Sequence, residues 1–153
     1  MTGRTDTASR VIRATPNAIY DAFIRPEAQA AWLPPTGMTG RFDRFEPHPG
    51  GRYRMILSNA DPAANPGKTG QGSDVVEGRL VALVPGERIV QTADFDSPDP
   101  AVAGTMTMTW TFRAVPGGTE VAVVAENVPP GISAEDHRVG LNSSLANLAA
   151  FVE

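Results

Sequence analysis

Ala103–Val128 reads AGTMTMTWTFRAVPGGTEVAVVAENV, and the alternation in its first half is nearly unbroken. Met106, Met108, Trp110 and Phe112 fall on one side and Thr105, Thr107, Thr109 and Thr111 on the other, the period-two grammar of a strand with one dry face. Pro116-Gly117-Gly118 marks a tight turn, and Glu120–Asn127 continues with Val121 and Val123 in phase, so a β-hairpin is predicted over 105–114 and 120–127. Its apolar face must be covered, and what covers it decides the fold. A row of Met, Met and Trp can close a dry core or line a cavity; these soft, amphipathic side chains suit a surface that accepts varied guests.

The cover comes from the C-terminus. Ser133-Ala134-Glu135-Asp136 matches a capping box, and Leu141, Leu145, Leu148 and Val152 then repeat at helical spacing, one face of a helix about 28 Å long. Upstream of the hairpin the period-two pattern recurs at Arg41–Phe45 and Arg52–Leu57 around the turn EPHPGG, and at Asp74–Val84 and Arg88–Phe95 around Pro85-Gly86. SNADPAANPGKTGQG (58–72) and DSPDPAVAG (96–104) are loop chemistry. Short links imply antiparallel neighbours. Near the start, Arg10–Ala14 reads as a first strand after a mobile polar tail, residues 1–9. Thr15-Pro16 is an N-cap and first helical residue, and Arg25-Pro26 separates that helix, with Ile19, Ala22 and Phe23 on its apolar face, from a second short one carrying Trp32. The predicted architecture is α+β: a curved antiparallel sheet of about seven strands, two short helices after the first, and a long C-terminal helix on one face, all in a single domain over 10–153.

Composition narrows the functions. At 153 residues the chain suits one core. A net charge of −4 offers no global attraction to nucleic acid or an anionic membrane, and zero cysteines excludes disulfides, thiolate catalysis and cysteine-ligated metal. No signal-peptide pattern and no run of about 20 apolar residues occurs, so a cytoplasmic protein is expected. Only Lys68 of the 13 basic residues is lysine, and Ala, Gly and Pro are abundant, as in a GC-rich bacterial genome.

Catalytic and cofactor motifs fail on context. Gly67-Lys68-Thr69 looks like the end of a phosphate-binding loop, but Pro62 stands where its first glycine belongs; Gly70-Gln71-Gly72 lacks the third glycine of a dinucleotide fingerprint. His48 and His137 are too few for a catalytic zinc, and Ser143 and Ser144 lie mid-helix without a visible base. No cofactor and no metal are expected, and a catalyst is not. Arg41, Arg44, Arg52 and Arg54 alternate away from Tyr53, Met55 and Leu57, onto the solvent face of the first hairpin. His137 lies four residues before Leu141 on the helix stripe. It is read as a packed residue stapled to Ile132, or as a polar handle with a pKa near neutrality.

The strand–helix–helix–six strands–helix order, together with FEPHPGGRYRM, VVEGRLVALVPGERIVQT and GTEVAVVAENVPPGISAEDHRVGLNSSLANLAAFVE, resembles the bacterial homologues of the activator of heat-shock protein 90 ATPase, within the START-like (SRPBCC, polyketide-cyclase-like) superfamily. The resemblance implies the helix-grip fold, in which the sheet wraps the long helix and encloses a largely apolar cavity. Two positions depart from the pattern: Glu46-Pro47-His48 stands where many relatives carry Asp-x-Arg, and Gly140-Leu141 where many carry Gly-Trp. On this fold the pocket residues are Tyr53, Met55, Val76, Met106, Met108, Trp110, Val123, His137, Gly140, Leu141 and Leu145, with Gly140 leaving space near the helix start. The expected function is binding of a small hydrophobic or aromatic molecule. The alternatives are a co-chaperone-type interaction with a chaperone, in a stress response, and a cyclase- or hydrolase-like enzyme using pocket polar groups. A monomer or homodimer is expected, with no nucleic-acid or membrane partner.

Overall fold

The computed structural model describes residues 4–34, 38–59, 73–95 and 104–153. Among them the chain runs β1 (Arg4–Ile12), α1 (Pro16–Ile24), α2 (Pro26–Trp32), β2 (Met38–Phe45), β3 (Gly51–Asn59), β4 (Ser73–Val84), β5 (Arg88–Phe95), β6 (Met106–Val115), β7 (Gly118–Val128) and α3 (Ala134–Val152). The strands form one antiparallel sheet in the order β1-β7-β6-β5-β4-β3-β2. The phosphate-loop look-alike at 67–69 and the glycines at 70 and 72 lie outside the described residues, as does most of the 96–104 turn.

Every predicted element is present, and the largest difference is at the N-terminus. β1 begins at Arg4 rather than Arg10, so residues 4–9 are strand and not a mobile tail. They read as polar because β1 is a sheet edge whose order comes from backbone pairing to β7, more than a hundred positions away, which local composition does not reveal.

Local chemistry accounts for the helix boundaries. The Thr15 hydroxyl accepts from the Ala18 N–H at 3.2 Å, with Pro16 opening α1. Arg25, extended, ends α1 and starts α2 before Pro26. The Ser133 hydroxyl accepts from the Asp136 N–H at 3.0 Å at the head of α3. In the β2–β3 turn a Glu46 carboxylate oxygen accepts from the Arg52 N–H at 2.9 Å, and that bond holds the carboxyl below its ordinary range.

The main core gathers Ile12, Ile19, Phe23, Trp32, Ile89, Trp110, Phe112, Val121, Val123, Leu141, Leu145 and Leu148. Four of its aromatic rings interlock: Phe23 lies 4.7 Å from Trp32 and 5.1 Å from Trp110, both edge-on, and 5.3 Å from Phe112. The two tryptophans meet nearly perpendicular at 5.8 Å, the geometry that ring quadrupoles favour. The Trp32 indole N–H donates to the Ala22 carbonyl at 2.9 Å, so this large side chain is buried with its polar atom satisfied. The helical insert thus plugs one part of the sheet's inner face. α3 packs beside β1 and touches α1 and α2, while α2 reaches β2 and α1 reaches β6.

Candidate functional site

Strand register places the site. Asp6 on β1 pairs with Ala125 on β7, Ala125 with Met108 on β6, Met108 with Gln91 on β5, and Gln91 with Leu80 on β4. These residues form one line across the inner face, about 14 Å from Asp6 to Gln91 at the usual strand spacing. Along β6, Met106, Trp110 and Phe112 are buried, whereas Met108 between them is only half-buried. A residue in the middle of an inward face keeps accessible surface only when nothing packs fully over it.

The helix above explains the opening. On α3, Ser144 donates to the Leu33 carbonyl at 2.6 Å and Asn147 to the Pro34 carbonyl at 3.1 Å, which turns that flank of the helix toward the end of α2. Gly140 occupies the same flank four residues before Ser144, and a Cβ placed on it would meet nothing within 4 Å. The Gly140 position of α3 is therefore bare, while on the sheet Met108 stays half-buried and Ala125 is fully packed.

Polar groups mark both ends of the line. At the β1 end the Arg4 guanidinium binds Asp6 with two nitrogens, at 2.9 Å each, and also reaches the Ile132 carbonyl at 2.6 Å. His137 Nδ1 meets the other side of Asp6 at 2.7 Å, with both side chains 11% exposed. Hydrogen bonding from Arg4, and then from His137, holds the Asp6 carboxyl below its ordinary range. An ionised carboxylate can only accept, so the proton of the Asp6–His137 bond sits on Nδ1. The predicted staple is corrected: Ile132 packs with Met106, Ala125 and Val128, and His137 is held by Asp6. A charged partner on a paired strand outweighs an apolar contact for an imidazole at this depth.

At the other end the Tyr53 ring, on β3, lies over Gly78, where a Cβ would come within 2.9 Å of the ring. The bare glycine lets the phenol cross β4, and its hydroxyl donates to the Thr92 carbonyl at 2.5 Å. Burial pushes the phenol pKa far up, so Tyr53 stays protonated. Its one proton is committed to Thr92, so its oxygen accepts from Gln91, 3.3 Å away, which fixes the Gln91 NH2 on that side. Gln91 Oε1 is then a buried acceptor with no partner, and Trp110 Nε1 is a buried donor with none, among the described residues. Each such orphan costs about 1–3 kcal/mol.

Of the expected pocket residues, Trp110, Val123, Leu141 and Leu145 belong to the main core, and Met106 to a second cluster against which Met108 and Val76 pack. Tyr53 and Met55 are buried on β3, with Tyr53 near Phe42 at 6.3 Å. Reading the residues alone missed Asp6 and Gln91. Both had a signal in strand parity: Asp6 is in phase with Ala8 and Ile12, and Gln91 sits between Ile89 and Ala93 on the inward side.

The outer face carries a second concavity, a surface groove of about 460 Å³ lined by Arg44, Arg52, Arg54 and Arg79 with Glu77, Asp94, Thr92 and Thr105. Arg41, Arg44 and Arg52 are exposed as expected, and Arg54 is held by Asp43 and, at 3.0 Å, by Glu77. Among the described residues there is no group of three or more side chains able to hold a metal ion, and no helix is long and apolar enough to cross a membrane.

A curved antiparallel sheet gripping a long C-terminal helix defines the START-like, helix-grip class. The model of the family described as Activator of Hsp90 ATPase homolog 1-like protein matches residues 13–153, and the chain belongs to that family. It is 35% identical to a crystallised protein of Chromobacterium violaceum, with a TM-score of 0.86 over 97% of this chain and 96% of that one. A protein of Rhodobacter sphaeroides shares the fold at 22% identity and a TM-score of 0.76, over 98% and 95% of the two chains. An Aeromonas hydrophila protein of the same family type shares it at 16% identity and a TM-score of 0.72, over 97% and 92%. No curated protein matches the chain.

Proposed function

We propose that the chain binds a small apolar or aromatic molecule in a hollow between the inner face of the sheet and the first turns of α3. The observation that carries this reading is Met108, half-buried in the centre of an otherwise buried inward row of β6. Ligand sites of this kind are apolar enclosures with a few placed polar groups, here Gln91, Trp110 and the Asp6–His137 pair. The cysteine-free chain suits the reducing cytoplasm. Thermal denaturation against a panel of aromatic and aliphatic probes, with native mass spectrometry of the purified protein, tests the reading. Aromatic probes should raise Tm in the wild type and leave Gly140→Leu, whose side chain occupies the hollow, unshifted. A panel that stabilises neither protein overturns it.

A co-chaperone role has one observation of its own, the outer groove. Arg52 and Arg79 face each other in register there without an acidic partner among the described residues, a surface suited to an acidic segment of a chaperone. If the bacterial homologue of heat-shock protein 90 neither co-purifies with the chain nor changes its ATPase rate, this role is removed.

A further inference from the structure

We propose that the groove on the outer face of the sheet binds a small phosphate monoester, its phosphate held by Arg52, Arg79 and the Thr92 hydroxyl, three groups that line the groove together. The site lies on the opposite face from Met108 and does not depend on a ligand there.

Register brings the two arginines as close as a sheet allows. Arg52 on β3 pairs directly with Arg79 on β4. The Arg52 backbone is turned the other way, toward β2: its N–H donates to the Glu46 carboxylate at 2.9 Å and its carbonyl accepts from the Glu46 N–H at 2.9 Å. The Arg79 N–H is likewise turned toward β5, donating to Thr92 Oγ1 at 3.0 Å. The two residues therefore form a non-hydrogen-bonded pair, the class in which opposed Cα atoms approach to about 4.5 Å. Like charges opposed at this spacing destabilise the pairing.

The nearby acids are committed elsewhere. Glu77 and Asp43 both hold Arg54, Glu46 serves the Arg52 N–H and lies 3.5 Å from Arg44, and Asp94 accepts from the Thr105 hydroxyl at 2.6 Å. Among the described residues neither the Arg52 nor the Arg79 guanidinium has an acidic partner. Thr92 adds a third donor: its oxygen accepts from Arg79, and its proton has no acceptor among the described residues.

Two guanidinium forks and a hydroxyl offer donors only, so the group they take is an anion. A carboxylate brings one charge and one edge of two oxygens, which matches one fork. A phosphate monoester brings close to two charges and three oxygens set tetrahedrally, enough to meet both forks and the hydroxyl. The groove, about 460 Å³, has room beyond the phosphate, and Glu77, Asp94 and Thr105 line it as well. That polar, partly acidic lining suits a small hydroxyl-bearing ester; it disfavours a lipid tail and a second phosphate.

Isothermal titration calorimetry at pH 8 and fixed ionic strength, with glycerol 3-phosphate, succinate and tetraglutamate, tests the assignment on the wild type, Arg52→Gln, Arg79→Gln and Arg113→Gln. The wild type should bind glycerol 3-phosphate at least about tenfold more tightly than either carboxylate probe, and each groove variant should lose about tenfold or more. Arg113→Gln, which removes an exposed arginine paired with Glu120 outside the groove, should keep the wild-type affinity. Absence of glycerol 3-phosphate binding overturns the proposal, as does an affinity that both groove variants retain or that Arg113→Gln lowers equally. Tighter binding of tetraglutamate overturns it in favour of an acidic protein segment in the same groove. Should a groove variant fail to fold, the wild-type Nε–H resonances decide: those of Arg52 and Arg79 should move on addition of glycerol 3-phosphate while that of Arg113 stays in place. Resonances of Arg52 and Arg79 that do not move overturn the proposal.

Discussion

The inner face of the sheet is finished in two ways. Beneath α1 and α2 it is closed by Phe23, Trp32, Trp110 and Phe112, with Phe23 touching each of the other three rings and Leu145 and Leu148 of α3 completing the seal. Farther along the same line the strands carry Ala125, Met108 and Gln91, and here Met108 stays half-buried while α3 carries a bare Gly140. The strands are continuous across both halves. Side-chain volume makes the difference: aromatic and aliphatic bulk from three helices at one end, a bare helix position and a small floor at the other. A closed half that holds the sheet's curvature lets the open half remain underfilled without collapse.

The sharpest way to break this contrast is to shorten a large side chain on each side of it. Trp32→Ala should cost about 3–5 kcal/mol in urea denaturation, because the cavity it leaves is walled by rigid rings. Met108→Ala should cost no more than about 1 kcal/mol, because that side chain is already partly in contact with solvent. Equal losses would mean that the open half is packed as tightly as the closed one.

A smaller effect is expected from the polar end. Asp6→Asn should destabilise by about 1–3 kcal/mol at pH 7, since it removes the charge that Arg4 and His137 share. The Asp6 carboxyl is held below its unfolded value near 4, so its contribution is present above that pH and is lost as pH falls through the folded value. Wild-type and variant stabilities should therefore converge below about pH 4. A gap that persists in acid would show that Asp6 acts through packing and not through its charge.

The smallest effect separates two glycines. Gly140→Ala should raise stability by about 0.5–1 kcal/mol through helix propensity, because its Cβ meets open space. Gly40→Ala should lower it, because its Cβ would come within 2.6 Å of the Met55 thiomethyl carbon and 2.8 Å of the Pro34 ring. Thermal denaturation of the two variants reads both signs, and a destabilising Gly140→Ala would mean that the space beside Gly140 is filled.

Much of this was legible beforehand. The MTMTWTF alternation, the Thr15-Pro16 and Arg25-Pro26 punctuation and the Ser133 cap located their elements within one or two residues. β1 was not legible over Arg4–Ser9, because TDTAS is ordered by pairing with Val123–Ala125 and neighbouring β7 positions and not by any pattern of its own. Asp6 was lost with it, and with it the carboxylate that holds His137. Gln91 was hidden by its chemistry, since a polar residue in a strand is read as outward unless the parity of Ile89 and Ala93 is followed through.

Local sequence by itself determined the secondary structure, the antiparallel neighbours made by short turns and the face of each strand, because period, caps and turn residues act over a few positions. Only the tertiary structure decided which of the inward residues form a packed core and which border a space. That outcome depends on volumes contributed by elements remote in the chain: Phe23 and Trp32 against Trp110 at one end, Gly140 and Ala125 around Met108 at the other. MTMTWTF reads as one continuous apolar row, and in the fold its tryptophan is sealed while its second methionine lies open.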